Sequence, residues 1–234
     1  MATKIVVDAG HGGSNPGAVY QGRRESDDAL RLAMAVGRIL EENGYDVSYT
    51  RTTDATQSVG QKAAIANEEG ADLFVSIHRN AAEYPGKYTG VQTLIYDDSG
   101  IKKDIAQNIN ANLERLGFRN AGVSIRPNLV VLNSTQMPAL LVEAGFIDSD
   151  KDNQLFDSRF QAIAQGIADG IMETLENQNV SGGGNMTGNS MGNNMGNSMM
   201  GGGGNCPVCP SMPEGTGPEQ ELYRVQAGAF RDRQ

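Results

Sequence analysis

The chain has 234 residues, enough for one or two domains, and carries a formal net charge of −9. That charge argues against nucleic acid or an anionic membrane as a partner, because both attract basic surfaces. Met1-Ala2-Thr3 leads straight into a strand and no apolar run approaches membrane-spanning length, so neither a signal peptide nor a membrane span is expected.

The first predicted strand is Lys4 to Asp8, an apolar β-branched run that ends in a carboxylate. Gly10-His11-Gly12-Gly13 follows, and the flanking glycines leave the His11 imidazole uncovered. After a loop over 17–22 and Arg23-Arg24-Glu25, a helix is expected from about Ser26 to Asn43. Its apolar face would be Leu30, Ala33, Met34, Gly37 and Leu40, and Asn43-Gly44 would end it. A strand alternates around Val47 and Tyr49, and an alanine-rich helix over 57–69 stops at Gly70. Leu73 to Ile77 is nearly all apolar, as in a strand buried on both faces, and leads directly to His78. A polar loop is expected over 79–87, then a strand from Val91 to Tyr96. A helix between Gly100 and Gly117 carries Ile101, Ile105, Ile109 and Leu113 near helical spacing. Leu129 to Leu132 reads as a fifth strand, and Ala139 to Val142 as a sixth that delivers Glu143. A last helix from about Asp157 to Glu176 places Phe160, Ile163, Ala164, Ile167, Ile171 and Leu175 on one face.

Strands alternating with helices imply an α/β domain over residues 1–178: a twisted, six-stranded, mostly parallel sheet with helices on both faces. Residues 179–221 are rich in glycine, asparagine and methionine. Such a tract cannot bury enough apolar surface to offset the entropy of ordering it, so a flexible linker is expected. Cys206-Pro-Val-Cys209 lies within it, with no second pair to complete a metal site and no flanking fold to support redox chemistry.

In sheets of this kind, ligands bind beyond the carboxyl ends of the strands. His11, His78 and Glu143 each fall at such an end, and the two histidines are the only ones in the chain. Catalytic zinc commonly takes three protein ligands from His and Asp/Glu and leaves a fourth position open. Glu25, at the start of the first helix, is the candidate third ligand, with Asp27 and Asp28 as rivals. The same three acids could simply complement the helix dipole. Each histidine also has an ordinary structural explanation, as a turn cap or as a donor to a nearby carbonyl. Glu143 is harder to explain that way, because an unpaired carboxylate at a buried strand end is costly. It suits a proton carrier that is not itself a ligand. Asp8 would orient His11 or cap the turn.

Four separated stretches carry a resemblance. They are Val6 to Gly13, Gly22-x-x-Glu25, Ala66-Asn67 with Ala71 to Ala81, and Pro138 to Ile147. In that order they resemble the zinc-dependent N-acetylmuramoyl-L-alanine amidases of the amidase 3 family, over residues 3 to 176. The resemblance implies zinc bound by His11, Glu25 and His78, with Glu143 as the catalytic acid. Asp8, Arg79 and Asn80 would support the site or meet substrate. It further implies cleavage of peptidoglycan between N-acetylmuramic acid and L-alanine in cell-wall lysis. A monomer is expected and, with no signal peptide, one held in the cytoplasm until release. A mother-cell autolysin is the expected context. A phage endolysin of the same activity and a zinc peptidase cutting within the stem peptide are the alternatives. Lys62 stands where the family usually has arginine, and Arg79 where a small or apolar residue is commoner. At residues 222–234, Tyr223 to Phe230 resembles the opening strand of a sporulation-related, peptidoglycan-binding repeat, cut too short to bury a core.

A non-catalytic wall-binding module of the same fold would have no use for Glu143 and both histidines. A phosphate-cradling role for Gly10-His11-Gly12-Gly13 lacks the Lys-Ser/Thr that follows such loops.

Overall fold

A computed structural model describes residues 2–182, with side chains described to residue 178. The expected linker, Cys206, Cys209 and the repeat-like segment over 222–234 lie outside the described residues.

One six-stranded sheet organises the domain. Its strands are β1 (Lys4–Ala9), β4 (Asp46–Tyr49), β5 (Leu73–Asn80), β6 (Val91–Ile95), β7 (Asn120–Ile125) and β8 (Ala139–Phe146), in the order β4-β1-β5-β8-β6-β7. β4, β1, β5 and β8 run parallel; β6 pairs antiparallel with β8, and β7 follows β6 in parallel. The remaining pair, β2 (Val19–Tyr20) and β3 (Arg23–Arg24), forms a separate hairpin. Its turn is Gln21-Gly22, both at positive φ (49° and 81°), as a tight hairpin connection requires.

Among the described residues there are six helices: α1 (Glu25–Glu42), α2 (Val59–Glu68), α3 (Ile101–Arg115), α4 (Val130–Asn133), α5 (Asp150–Ser158) and α6 (Phe160–Gly182). Alternation along the strands divides the core into two layers. Ile5, Val7, Leu73, Val75, Ile77, Leu140 and Val142 face α1, α3 and α6, where Leu32, Val36, Ile105, Ile109, Ile163 and Ile167 are fully buried against them. Val6, Phe74, Leu94 and Leu141 face the thinner side under α2 and α4, closed by Ala66, Val131 and Leu132. The same alternation sends Asp8, Ser76, His78 and Glu143 toward that thinner side. The apolar pattern of three strands therefore already selects the face on which polar chemistry gathers.

The α/β class, the sheet of six strands and the helices on both faces agree with the sequence, but particular elements differ. Leu129 to Leu132 is not a strand; Val130–Asn133 is the short helix α4, closed by Leu132 N–H donating to the Leu129 carbonyl at 2.9 Å. A short apolar run carries no periodicity that separates the two forms. The sheet edge is taken instead by β7, whose Gly122 (φ 83°) and register shift opposite Val91 and Thr93 hide its alternation. β5 runs on through Arg79 and Asn80, because its ladder with β8 continues to Asn80–Phe146 across a bulge. The predicted loop over 79–87 thus begins two residues late. α5 precedes the last helix, and α6 continues to Gly182, past both Glu176 and the 178 boundary. α1 is rotated from its expected face, burying Ala29, Leu32, Ala33 and Val36 while Leu30 and Met34 are only half-buried. It is wedged between β1, β5 and α6 and must bury a broad stripe.

Candidate active site

β1 ends in a turn that leaves the left-handed region to a non-glycine residue: His11 has φ 58°. That conformation costs about 1–2 kcal/mol for a residue with a Cβ, so the surrounding structure must hold it. The turn aims His11 Nε2 at Glu25 Oε1, 2.9 Å away, and the same oxygen lies 2.9 Å from His78 Nδ1. The available ligand atoms of His11, Glu25 and His78 all lie within 4.8 Å of one another, the only such group of three or more among the described residues. Two imidazoles and one carboxylate suit zinc, and the spacing is that of a shared ion. The residues fit the group.

Each ligand candidate is held from behind. His11 Nδ1 lies 3.2 Å from Asn15 Oδ1, which also accepts from Gly17 N–H at 3.0 Å; a ring that donates from Nδ1 to Asn15 would present Nε2 to an ion. Glu25 is the first residue of α1. Its N–H donates to the Ala18 carbonyl, and its Oε2 accepts from Ala18 N–H, both at 2.9 Å. Arg79 N–H donates to Glu25 Oε1 at 3.2 Å. The β2–β3 hairpin thus sets the start of the helix and the direction of its first side chain together.

Burial would raise the Glu25 carboxyl, but hydrogen bonds from His11 and His78 outweigh it and hold the group well below the usual carboxylate range. Burial would lower His11; Glu25 more than compensates and lifts it above an ordinary histidine. For His78, burial dominates and lowers it.

Glu143 completes the site. On β8 it is the direct cross-strand neighbour of His78 of β5 and of Gln92 of β6. It is 2% exposed, and its Oε2 has no hydrogen-bond partner among the described residues. Burial first, then the nearby Glu25 charge, push its carboxyl well above the usual range, with Arg79 opposing. A buried carboxylic acid with a free oxygen beside a cation site can take up and return a proton.

The rival carboxylates are committed elsewhere. Asp28 accepts from Arg23 Nε and from Arg79, each at 2.6 Å, and exposed Asp27 faces Arg24 at 3.7 Å. Asp8 has no bond to His11. Its carboxylate accepts from Lys62 Nζ at 2.7 Å, Ser76 Oγ at 2.6 Å and Thr50 Oγ1 at 2.5 Å. The expectation that Asp8 orients His11 is thereby corrected; Asn15 makes that contact, and only its place four residues after the histidine hinted at it. The Arg79 side chain is turned inward, away from the cleft. Its guanidinium is buried over the Phe156 ring at 4.0 Å and donates to Asp28 and Asn153. Asn80 is buried as well, with Oδ1 accepting from Ala81 N–H at 2.9 Å and Nδ2 unpartnered.

A cleft of about 240 Å³ opens over His11 and His78, walled by Asn15, Lys62, Leu129 and Val130. A cleft at strand ends, two imidazoles and a carboxylate in ion-binding array, and a buried acid alongside define an α/β protein with a hydrolase-type candidate metal site. The chain belongs to the amidase 3 family, described as N-acetylmuramoyl-L-alanine amidase, whose model matches residues 5–173. It is 38% identical over 168 residues to the sporulation-specific N-acetylmuramoyl-L-alanine amidase of Bacillus subtilis (strain 168), covering 69% of this chain but 64% of that protein. It is 35% identical over 193 residues to the endolysin of Bacillus phage SPP1, covering 78% of this chain and 70% of the endolysin. Among solved structures, the catalytic domain of CwlV, an N-acetylmuramoyl-L-alanine amidase from Bacillus (Paenibacillus) polymyxa, matches with a TM-score of 0.68 at 33% identity. That match covers 74% of this chain and 98% of the domain.

Proposed function

We propose that the chain is a zinc-dependent amidase that hydrolyses the bond between N-acetylmuramic acid and the L-alanine of the peptidoglycan stem peptide. The observation that carries the reading is Glu143, buried with its Oε2 unpartnered among the described residues, on the strand next to His78 and directly opposite it, beside the His11–Glu25–His78 cluster. Such a placement serves amide hydrolysis better than it serves the core, where an unpaired carboxyl costs a few kcal/mol.

His11, Glu25 and His78 would hold the ion, Asn15 and the Ala18 amide fixing two of them in orientation. When bound, zinc supplies Lewis acidity for the scissile carbonyl and lowers the pKa of water to about 7. Glu143 accepts the proton of the attacking water. As the carbon–nitrogen bond breaks, it returns that proton to the L-alanine nitrogen; the second proton of the water, left on the new lactyl carboxyl, passes to the freed amine, giving a carboxylate and an ammonium group. The proton affinity that burial gives Glu143 favours holding the proton between the two steps.

Acting at the cell wall as a monomer, the enzyme would serve wall lysis. The sporulation-specific relative supports a mother-cell role, and the phage endolysin supports the alternative of lysis at phage release. Residues 179–221 would tether the domain, and 222–234 would be the start of a wall-binding repeat.

The test is a digest of purified peptidoglycan analysed by mass spectrometry, alongside metal analysis of the protein. The expected products are stem peptides with a free L-alanine amino group, formed by protein holding about one zinc per chain and stopped by chelator. Fragments that keep muramic acid on L-alanine, or full activity without metal, overturn the proposal.

A further inference from the structure

One buried guanidinium reaches the backbone beside two of the three ligand candidates. Arg51, just beyond β4, is 4% exposed. Its Nε donates to the Ala9 carbonyl at 3.0 Å. One terminal nitrogen donates to the Gly10 carbonyl at 2.6 Å and the Ser26 carbonyl at 2.9 Å, and the other to Thr53 at 3.1 Å. Four of the five donors of an arginine are thus spent on main-chain oxygens. Ala9 and Gly10 immediately precede His11, and Ser26 immediately follows Glu25. The turn lies directly on the side chain: a Cβ built on Gly12 would come within 2.8 Å of Arg51 Nε.

We infer that Arg51 is a positioning residue for the metal centre, a clamp that fixes the His11 turn against the start of α1 so that His11 and Glu25 meet one ion. The inference rests on the metal reading given above. His11 sits at φ 58°, a conformation that relaxes unless its neighbours are pinned. Among the described residues, no other side chain spans both segments with hydrogen bonds to their main chain at these positions. Lys62 reaches Ala9 from the other side at 2.5 Å but makes no bond to α1. The fork geometry matters, because a lysine at position 51 would keep the charge but offer three donors from one point and could not bridge four carbonyls.

The experiment measures cobalt and zinc binding to wild-type and Arg51→Lys protein by chelator competition, with the visible spectrum of the cobalt forms and the unfolding midpoint of each. A tenfold or greater loss of affinity with an altered cobalt spectrum, in a variant that is still folded, is expected. Unchanged affinity and spectrum with a lowered midpoint would make Arg51 a purely structural residue and overturn the inference. Failure of the wild type to bind either ion would instead overturn the metal reading. Should Arg51→Lys not fold, nitrogen-15 NMR of the wild type decides. Exchange of the Arg51 Nε proton should slow when zinc is added, and an exchange rate indifferent to zinc refutes the clamp.

Discussion

The imidazole of His78 fills the space that a side chain on Gly10 would need: a Cβ there would lie 2.6 Å from His78 Nε2 and 2.7 Å from Nδ1. The glycine before His11 is thus required by the other histidine, which packs flat against the turn. Gly10→Ala should push the ring aside and lower metal affinity by at least tenfold. Calorimetric titration with zinc checks this; wild-type affinity in the alanine variant would show that the ring has room to shift.

Glu143→Gln keeps the size of the side chain and removes its acid–base capacity. Turnover should fall by about 10²–10⁴-fold while the metal content stays at that of the wild type. Single-turnover assays on a muropeptide, paired with metal analysis, separate the two quantities. Near-normal turnover would remove Glu143 from the mechanism.

Asp8 and Lys62 form an ion pair 3% exposed or less. Burial alone would raise the Asp8 carboxyl, but Lys62, Ser76 and Thr50 outweigh it and hold it below the usual aspartate range. A carboxyl depressed in the folded state stabilises above its unfolded pKa, and that contribution is lost as pH falls through the folded value. Asp8→Asn leaves Lys62 buried without its counter-ion and should cost about 3–5 kcal/mol at pH 7. The gap between the two proteins should narrow as pH falls below the ordinary aspartate range and close only below the depressed folded value, where the wild type also loses the charge. Denaturant melts across pH 2–7 report this directly.

Asn15→Ala removes the acceptor that fixes His11 Nδ1–H. Zinc affinity should drop by about 10–100-fold, and Asn15→Asp, which keeps an acceptor there, should retain most of it. Equal affinities in all three proteins would show that the turn alone orients the ring.

A chain ending at residue 182 retains every described element and the whole of the family match. Its unfolding midpoint and zinc content should equal those of the full chain. Calorimetry and metal analysis of the shortened protein test the domain boundary.

Much of the fold and site can be read in one dimension. Alternation along 4–8, 73–77 and 139–142, and the 3.6-residue period of the last helix, specify the layers because side-chain direction follows from local geometry. Those runs also place His11, His78 and Glu143 at strand ends, so the sequence by itself determined the α/β class and these three candidates.

What it left open was decided by contacts between distant segments. Glu25, Asp27 and Asp28 are equivalent as a string; Arg23 and Arg79 take Asp28, and the Ala18 amide turns Glu25 toward the histidines. The sequence suggests that Asp8 orients His11 or caps the turn, but its partners are Thr50, Lys62 and Ser76, 42 to 68 residues away. The sequence suggests a strand at 129–132, where a short helix forms, and no element at β7, because neither run carries a periodic signal. Which carboxylate meets the histidines, and which guanidinium braces them, depends on strand register and the packing of α1. Both are non-local quantities, which only the folded chain sets.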